Sequence, residues 1–124
     1  MANEAKVTFQ MTSTHGNYKP GVAPGTITIS LTTQGGTEGV QAIGTSEENL
    51  DYGDVAAASA GLLYMRNLDS TNYIDWGMSD SGTMKAVGQM KAGEIAFLRV
   101  KPSAQVRLQA NTAACNLHFI LLNT

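Results

Sequence analysis

The chain has 124 residues, enough for one domain whose core buries roughly two-thirds of the unfolded surface. Its formal net charge is −2 and its eight Lys and Arg are scattered, so no basic stripe can neutralise several phosphates, and nucleic acid is not an expected partner. Charged residues make up only 15% of the chain, well under the usual ~25%, and no apolar run approaches the ~20 residues of a membrane helix, so no membrane partner is expected either.

Residues 5–11, AKVTFQM, place Val7, Phe9 and Met11 on one side and Lys6, Thr8 and Gln10 on the other. That period of two predicts a half-buried strand. Residues 14–25 hold two prolines and three glycines and read as a loop, since proline removes a backbone donor and is kept out of central strands. Alternation returns over residues 26–33, with Ile27, Ile29 and Leu31 inward, and Gln34, Gly35 and Gly36 then read as a tight turn.

Residues 38–44 and 46–52 are expected to be two short strands, although Ser46 with Glu47 and Glu48 could instead open a helical turn. Residues 53–60 are expected to be loop with one helical turn. Residues 61–76, GLLYMRNLDSTNYIDW, set two strand-forming runs around a polar centre of Asn, Asp and Ser, which predicts the central hairpin of an all-β domain. Residues 77–89 are rich in Gly, Ser and Met and read mostly as loop. Residues 94–100, 105–110 and 116–122 are predicted strands, with turns at Lys91, Ala92 and Gly93 and at Pro102 and Ser103. The last strand is apolar on both faces, as expected of a central strand or one covered by another subunit.

Eight to ten short strands with turns every eight to twelve residues predict an all-β fold: an antiparallel β-sandwich or jelly roll with little or no helix. Residues 1–124 are expected to form one domain, with residues 1–25 an N-terminal strand and Pro/Gly loop that contacts a neighbouring subunit.

Candidate chemistry is sparse. His15 and His118 lie about a hundred positions apart and no ligand spacing joins them, so no metal site is expected. Cys115 and His118 could be a thiol and its base, but positions three apart on a strand face opposite ways, which favours a buried neutral cysteine. The single cysteine permits no internal disulfide, and the first ten residues lack the basic-then-apolar order of a signal peptide, so synthesis in a cytoplasm is expected. Glu47, Glu48, Asp51 and Asp54 form one acidic cluster that lacks the alternation of a calcium loop and reads as a solvated edge. Tyr64, Tyr73 and Trp76 could stack a sugar, or pack the core and neighbouring strands. No catalytic residue, cofactor site or metal ligand is nominated, and no enzymatic activity is expected. Phe9, Met11 and Tyr18 are the candidate partner contacts.

From Gly61 onward the chain resembles small virion structural proteins of tailed bacteriophages, of the capsid decoration or cement type. The resemblance rests on GLLYMRNLDSTNYIDWG, on KAGEIAFLRV and on the ending VRLQANTAACNLHFILLN. It implies a β-sandwich or jelly-roll module that associates with itself as a homotrimer and binds the major capsid protein. Such a module would be made in the host bacterial cytoplasm and sit on the capsid exterior, stabilising the shell by bridging capsomers. A phage tail or fibre adaptor, a receptor-binding module and a lectin-like carbohydrate-binding domain are the alternative expectations.

Overall fold

Alternating strand formers fill most of the chain, and nearly all of them fold as β-structure. A computed structural model describes residues 3–32 and 34–124. Its strands are β1 (Glu4–Thr12), β2 (Gly21–Ser30), β3 (Gly36–Ile43), β4 (Glu48–Asn49), β5 (Ala60–Asn67), β6 (Ile74–Asp80), β7 (Thr83–Met90), β8 (Ile95–Arg99), β9 (Val106–Ala110) and β10 (Cys115–Asn123). A short 3₁₀ turn at Ala57–Ser59 precedes β5, where one helical turn is expected from the alanines. The chain separates into two compact units, Met1–Thr32 and Thr33–Thr124.

The first unit is a two-stranded antiparallel ribbon of β1 and β2. Its ladder continues past the strands to the tip, where His15 and Tyr18 exchange both backbone hydrogen bonds at 2.9 and 3.0 Å. Gly16 supplies the positive φ, +60°, at the first central position of this two-residue turn, as a type II′ turn requires. The loop expected over residues 14–25 is therefore largely ladder. Proline is accommodated because both strands of a ribbon are edges, and Pro24 sits beside Ala23 in a bulge opposite Gln10, where no ladder donor is needed.

The second unit has two four-stranded antiparallel sheets, in the orders β3-β10-β5-β8 and β4-β9-β6-β7. The pairings nest: β3 with β10, β4 with β9, β5 with β8, β6 with β7. The chain is thus one long hairpin rolled across two sheets, the strand order of a jelly roll. Between the sheets Ile43, Leu63, Met65, Leu117, Phe119 and Leu121 meet Ile74, Met90, Val106, Leu108 and Ala110 in one buried core. β10 lies between β3 and β5, the central place its two apolar faces predict.

Three expectations are corrected by this topology. Residues 61–76 are not a hairpin: β5 and β6 belong to different sheets, and residues 68–73 arch from one sheet to the other. The innermost hairpin is β6–β7, in the stretch expected to be loop. Its turn places Ser81 and Gly82 at φ +53° and +85°, the two positive values of a type I′ turn. Gln34, Gly35 and Gly36 make no hairpin either, because β2 and β3 do not pair. Thr33, which the predicted second strand included, lies outside the described residues.

Candidate functional site

Cross-strand partners share a face, so the ribbon register sorts its side chains into two sets. Ala5 with Ile29, Val7 with Ile27, Phe9 with Gly25 and Met11 with Val22 make one face apolar. Glu4 with Ser30, Lys6 with Thr28 and Thr8 with Thr26 make the other polar, joined by a 3.4 Å Lys6–Glu4 ion pair and a 3.1 Å hydrogen bond between the Thr8 and Thr26 hydroxyls. Phe9, Met11, Val22 and Ile27 are all exposed, Met11 to 59%. The half-buried strand expected for residues 5–11 is thus half-buried only toward its start, at Ala5 and Val7. Tyr18 is 71% exposed beside the tip, so the three candidate contacts Phe9, Met11 and Tyr18 all belong to the ribbon.

The second unit presents an apolar surface of its own. Outward-facing rows run across the sheet of β3, β10, β5 and β8: Val40, His118, Arg66 and Ile95 in one, Glu38, Ile120, Tyr64 and Phe97 in the next. Val40, Ile95 and Phe97 are exposed, while His118, Tyr64 and Ile120 are part-buried. The Tyr64 and His118 rings meet edge to face with centroids 5.7 Å apart. Arg66 turns aside, its Nε donating to the Gly93 carbonyl at 3.2 Å. The signal was present in EIAFLRV, whose Ile95 and Phe97 alternate with equally apolar Ala96 and Leu98.

The groups weighed for chemistry are spent on the fold. Glu47 Oε1 accepts from the Met84 amide at 2.6 Å, and the two Glu48 oxygens accept from Gln41 Nε2 and the Gly44 amide. Asp51 accepts from the Gly53 amide at 2.9 Å. Three of these four carboxylates are therefore fixed to the fold, two of them across local turns, where a merely solvated edge was expected. Cys115 is buried and packs inward; burial pushes its thiol pKa up, and the Asp69 carboxylate adds to this. His118 lies on the opposite face of β10, so the pair cannot act as nucleophile and base. Tyr64 faces outward on one sheet, whereas Trp76 shares its register with the buried Leu108 on the other and packs against the core, so they form no common platform. An open depression of about 250 Å³ runs along β3 between Thr37 and Gln41, but Thr37 Oγ1 is donated to the Tyr52 carbonyl and Gln41 is bound to Glu48, Asn49 and Asp51. Among the described residues no three His, Cys, Asp or Glu gather at metal-binding distances.

No family model, curated protein or solved structure matches the chain. What the geometry offers is therefore two apolar surfaces, one on the ribbon and one on the jelly roll, suited to contact with other proteins.

Proposed function

We propose that this chain is a capsid decoration protein of a tailed bacteriophage, a non-enzymatic homotrimer that binds the outside of the shell and bridges capsomers. The observation that carries the reading is the amphipathic ribbon. An isolated two-stranded ribbon is marginal in water, and this one turns Phe9, Met11, Val22 and Ile27 to solvent, which suits an arm completed by contact with a neighbouring protein. The jelly roll accords with this, being a fold that serves in virion shells as well as in lectins, and so supports the class without choosing between them. A low-charge surface and carboxylates fixed to the fold fit a mechanical role, in which many weak contacts per particle add through avidity. Tyr18, beside the ribbon tip, is the contact assigned to the shell.

Cosedimentation with expanded shells of the encoding phage tests the proposal. The protein is expected to pellet with shells and to raise their disruption temperature, and Tyr18→Ala to weaken both effects. Absence of binding to empty and expanded shells would sink it. Immunogold labelling confined to tails would move the protein to the adaptor reading, and saturable quenching of Trp76 by a glycan would favour the lectin.

A further inference from the structure

The jelly roll's outer apolar rows and the ribbon's apolar face are matched in kind and size. With about 150–200 Å² for a fully exposed large side chain, exposures near one half at three or four side chains give each face on the order of 300–400 Å² of apolar surface. That is as large as the biggest patch of a typical monomer, and here the chain carries two. We infer that the apolar face of the ribbon docks on the outer face of the β3-β10-β5-β8 sheet of a second copy, Phe9, Met11, Val22 and Ile27 covering Val40, Ile95, Phe97 and Ile120.

Area selects the arrangement. One such contact removes roughly 600–800 Å² from water, short of the ~1,200–2,000 Å² of a stable pair. A copy that gives its ribbon to one neighbour and receives a ribbon from another is held by twice that area, which reaches the stable range. The two surfaces differ, so a ribbon given to one neighbour and a sheet filled by another make a ring, while reciprocal exchange between two copies would make a two-fold pair. A ring of three meets the self-association in the proposed function, on which this inference rests. The packing is a two-stranded sheet laid on a four-stranded one, at the ~10 Å spacing of stacked sheets. The ribbon's other face, with Glu4, Lys6 and the paired Thr8 and Thr26, would then be its new outer surface.

Full-length protein carrying Phe9→Glu in the ribbon or Phe97→Glu on the sheet tests this without shells, so failure of shell binding and failure of the ring are separate results. Wild type is expected to sediment as an oligomer and each variant as a monomer with unchanged circular dichroism. Mixing then distinguishes the geometry. A Phe9→Glu copy keeps its receiving sheet and a Phe97→Glu copy keeps its ribbon, so the mixture can make one contact, and sedimentation at high concentration should show weak, concentration-dependent pairing in the mixture and none in either variant alone. A second variant pair, Met11→Glu with Ile95→Glu, guards against misfolding of the first. A monomeric wild type, a ribbon or sheet variant that keeps the wild-type oligomer, or folded variants that show no concentration-dependent pairing when mixed would each overturn the inference.

Discussion

The indole of Trp76 lies directly over Gly88. The two are cross-strand partners on β6 and β7, and a Cβ on residue 88 would stand 2.5 Å from both Cε2 and Nε1 of the ring. The ring is rigid and packs against the core beneath it, so it cannot yield as a flexible side chain would. Gly88→Ala is therefore expected to cost about 1–3 kcal/mol through overpacking. Urea titration followed by Trp76 fluorescence checks it, with a lower midpoint at unchanged slope and altered emission from the native state. A midpoint equal to wild type would mean that the ring has room to move.

Asn67 sets the second expectation. It is fully buried at the end of β5, and its amide donates to the Asn72 carbonyl at 2.9 Å and to the Met90 carbonyl at 3.0 Å. Its Oδ1 accepts from the Asp69 amide at 2.9 Å. One side chain thus closes the arch and ties β5 to the end of β7 in the opposite sheet. Asn67→Ala strands three backbone groups, and at about 1–3 kcal/mol for a buried unsatisfied group a loss of at least a few kcal/mol is expected. Asn67→Asp should be worse at neutral pH, since it turns an acceptor toward two carbonyls. Thermal melts of the two variants should rank wild type, Ala, Asp in falling order.

The same residues show what the sequence could and could not disclose. Runs of strand formers located β5, β8, β9 and β10 well, because their inward positions pack into the core, whereas β3, which buries only Ile43 fully, gave a weaker signal. The polar run from Asn67 to Asn72 announced a turn, but hydrogen bonds local to a turn look the same in a hairpin and in an arch. Only Asn67's long-range partner, the Met90 carbonyl, makes the difference, and it lies 23 residues away. β6–β7 stayed hidden because its pairing uses Gly77 and Gly88 where a strand pattern asks for side chains. Phe9, Met11 and Tyr18 were nominated as contacts because they lie in or near the N-terminal segment, and all three are exposed on the ribbon. The outer apolar rows were harder to foresee, since Val40, Ile95 and Phe97 become neighbours only through β10 and β5.

Stability should fall at both ends of the pH range for separate reasons. Asp69 accepts from the amides of Asn72 at 2.6 Å and Thr71 at 2.9 Å, which hold its carboxyl below the ordinary 3.8. A depressed folded pKa gives stability that is present above the unfolded value and lost as pH falls through the folded one. Asp69→Asn should therefore flatten the acid limb below about pH 4. Tyr52 behaves oppositely: burial raises its phenol above 10.0, against the lowering effect of the Val106 amide. Its contribution is complete below the unfolded value and is lost as pH rises through the folded one. Tyr52→Phe removes the bonds to the Ala104 carbonyl and the Val106 amide, both 3.0 Å, at about 1–3 kcal/mol near neutrality. That difference should shrink above pH ~10. Chemical denaturation across the range checks both, and parallel curves for wild type and variants would refute the assignment.

Cys115 offers a readout of opening in the jelly roll. Its sulfur is buried on the inner face of β10, donates weakly to the Ala113 carbonyl at 3.5 Å, and has its pKa raised by burial. The thiolate is the reactive form, so the folded protein should resist aromatic disulfide reagents that label a free thiol at once. Labelling then requires β10 to leave the core. Since β10 is paired on both sides, with β3 and β5, its release amounts to opening the whole sheet. Gly88→Ala and Asn67→Ala, which weaken the same core from the opposite sheet and from the arch, should speed labelling, the logarithm of the rate rising in proportion to the stability they remove. Rapid, stoichiometric labelling of the native wild type would show that β10 frays locally and that Cys115 is open to solvent.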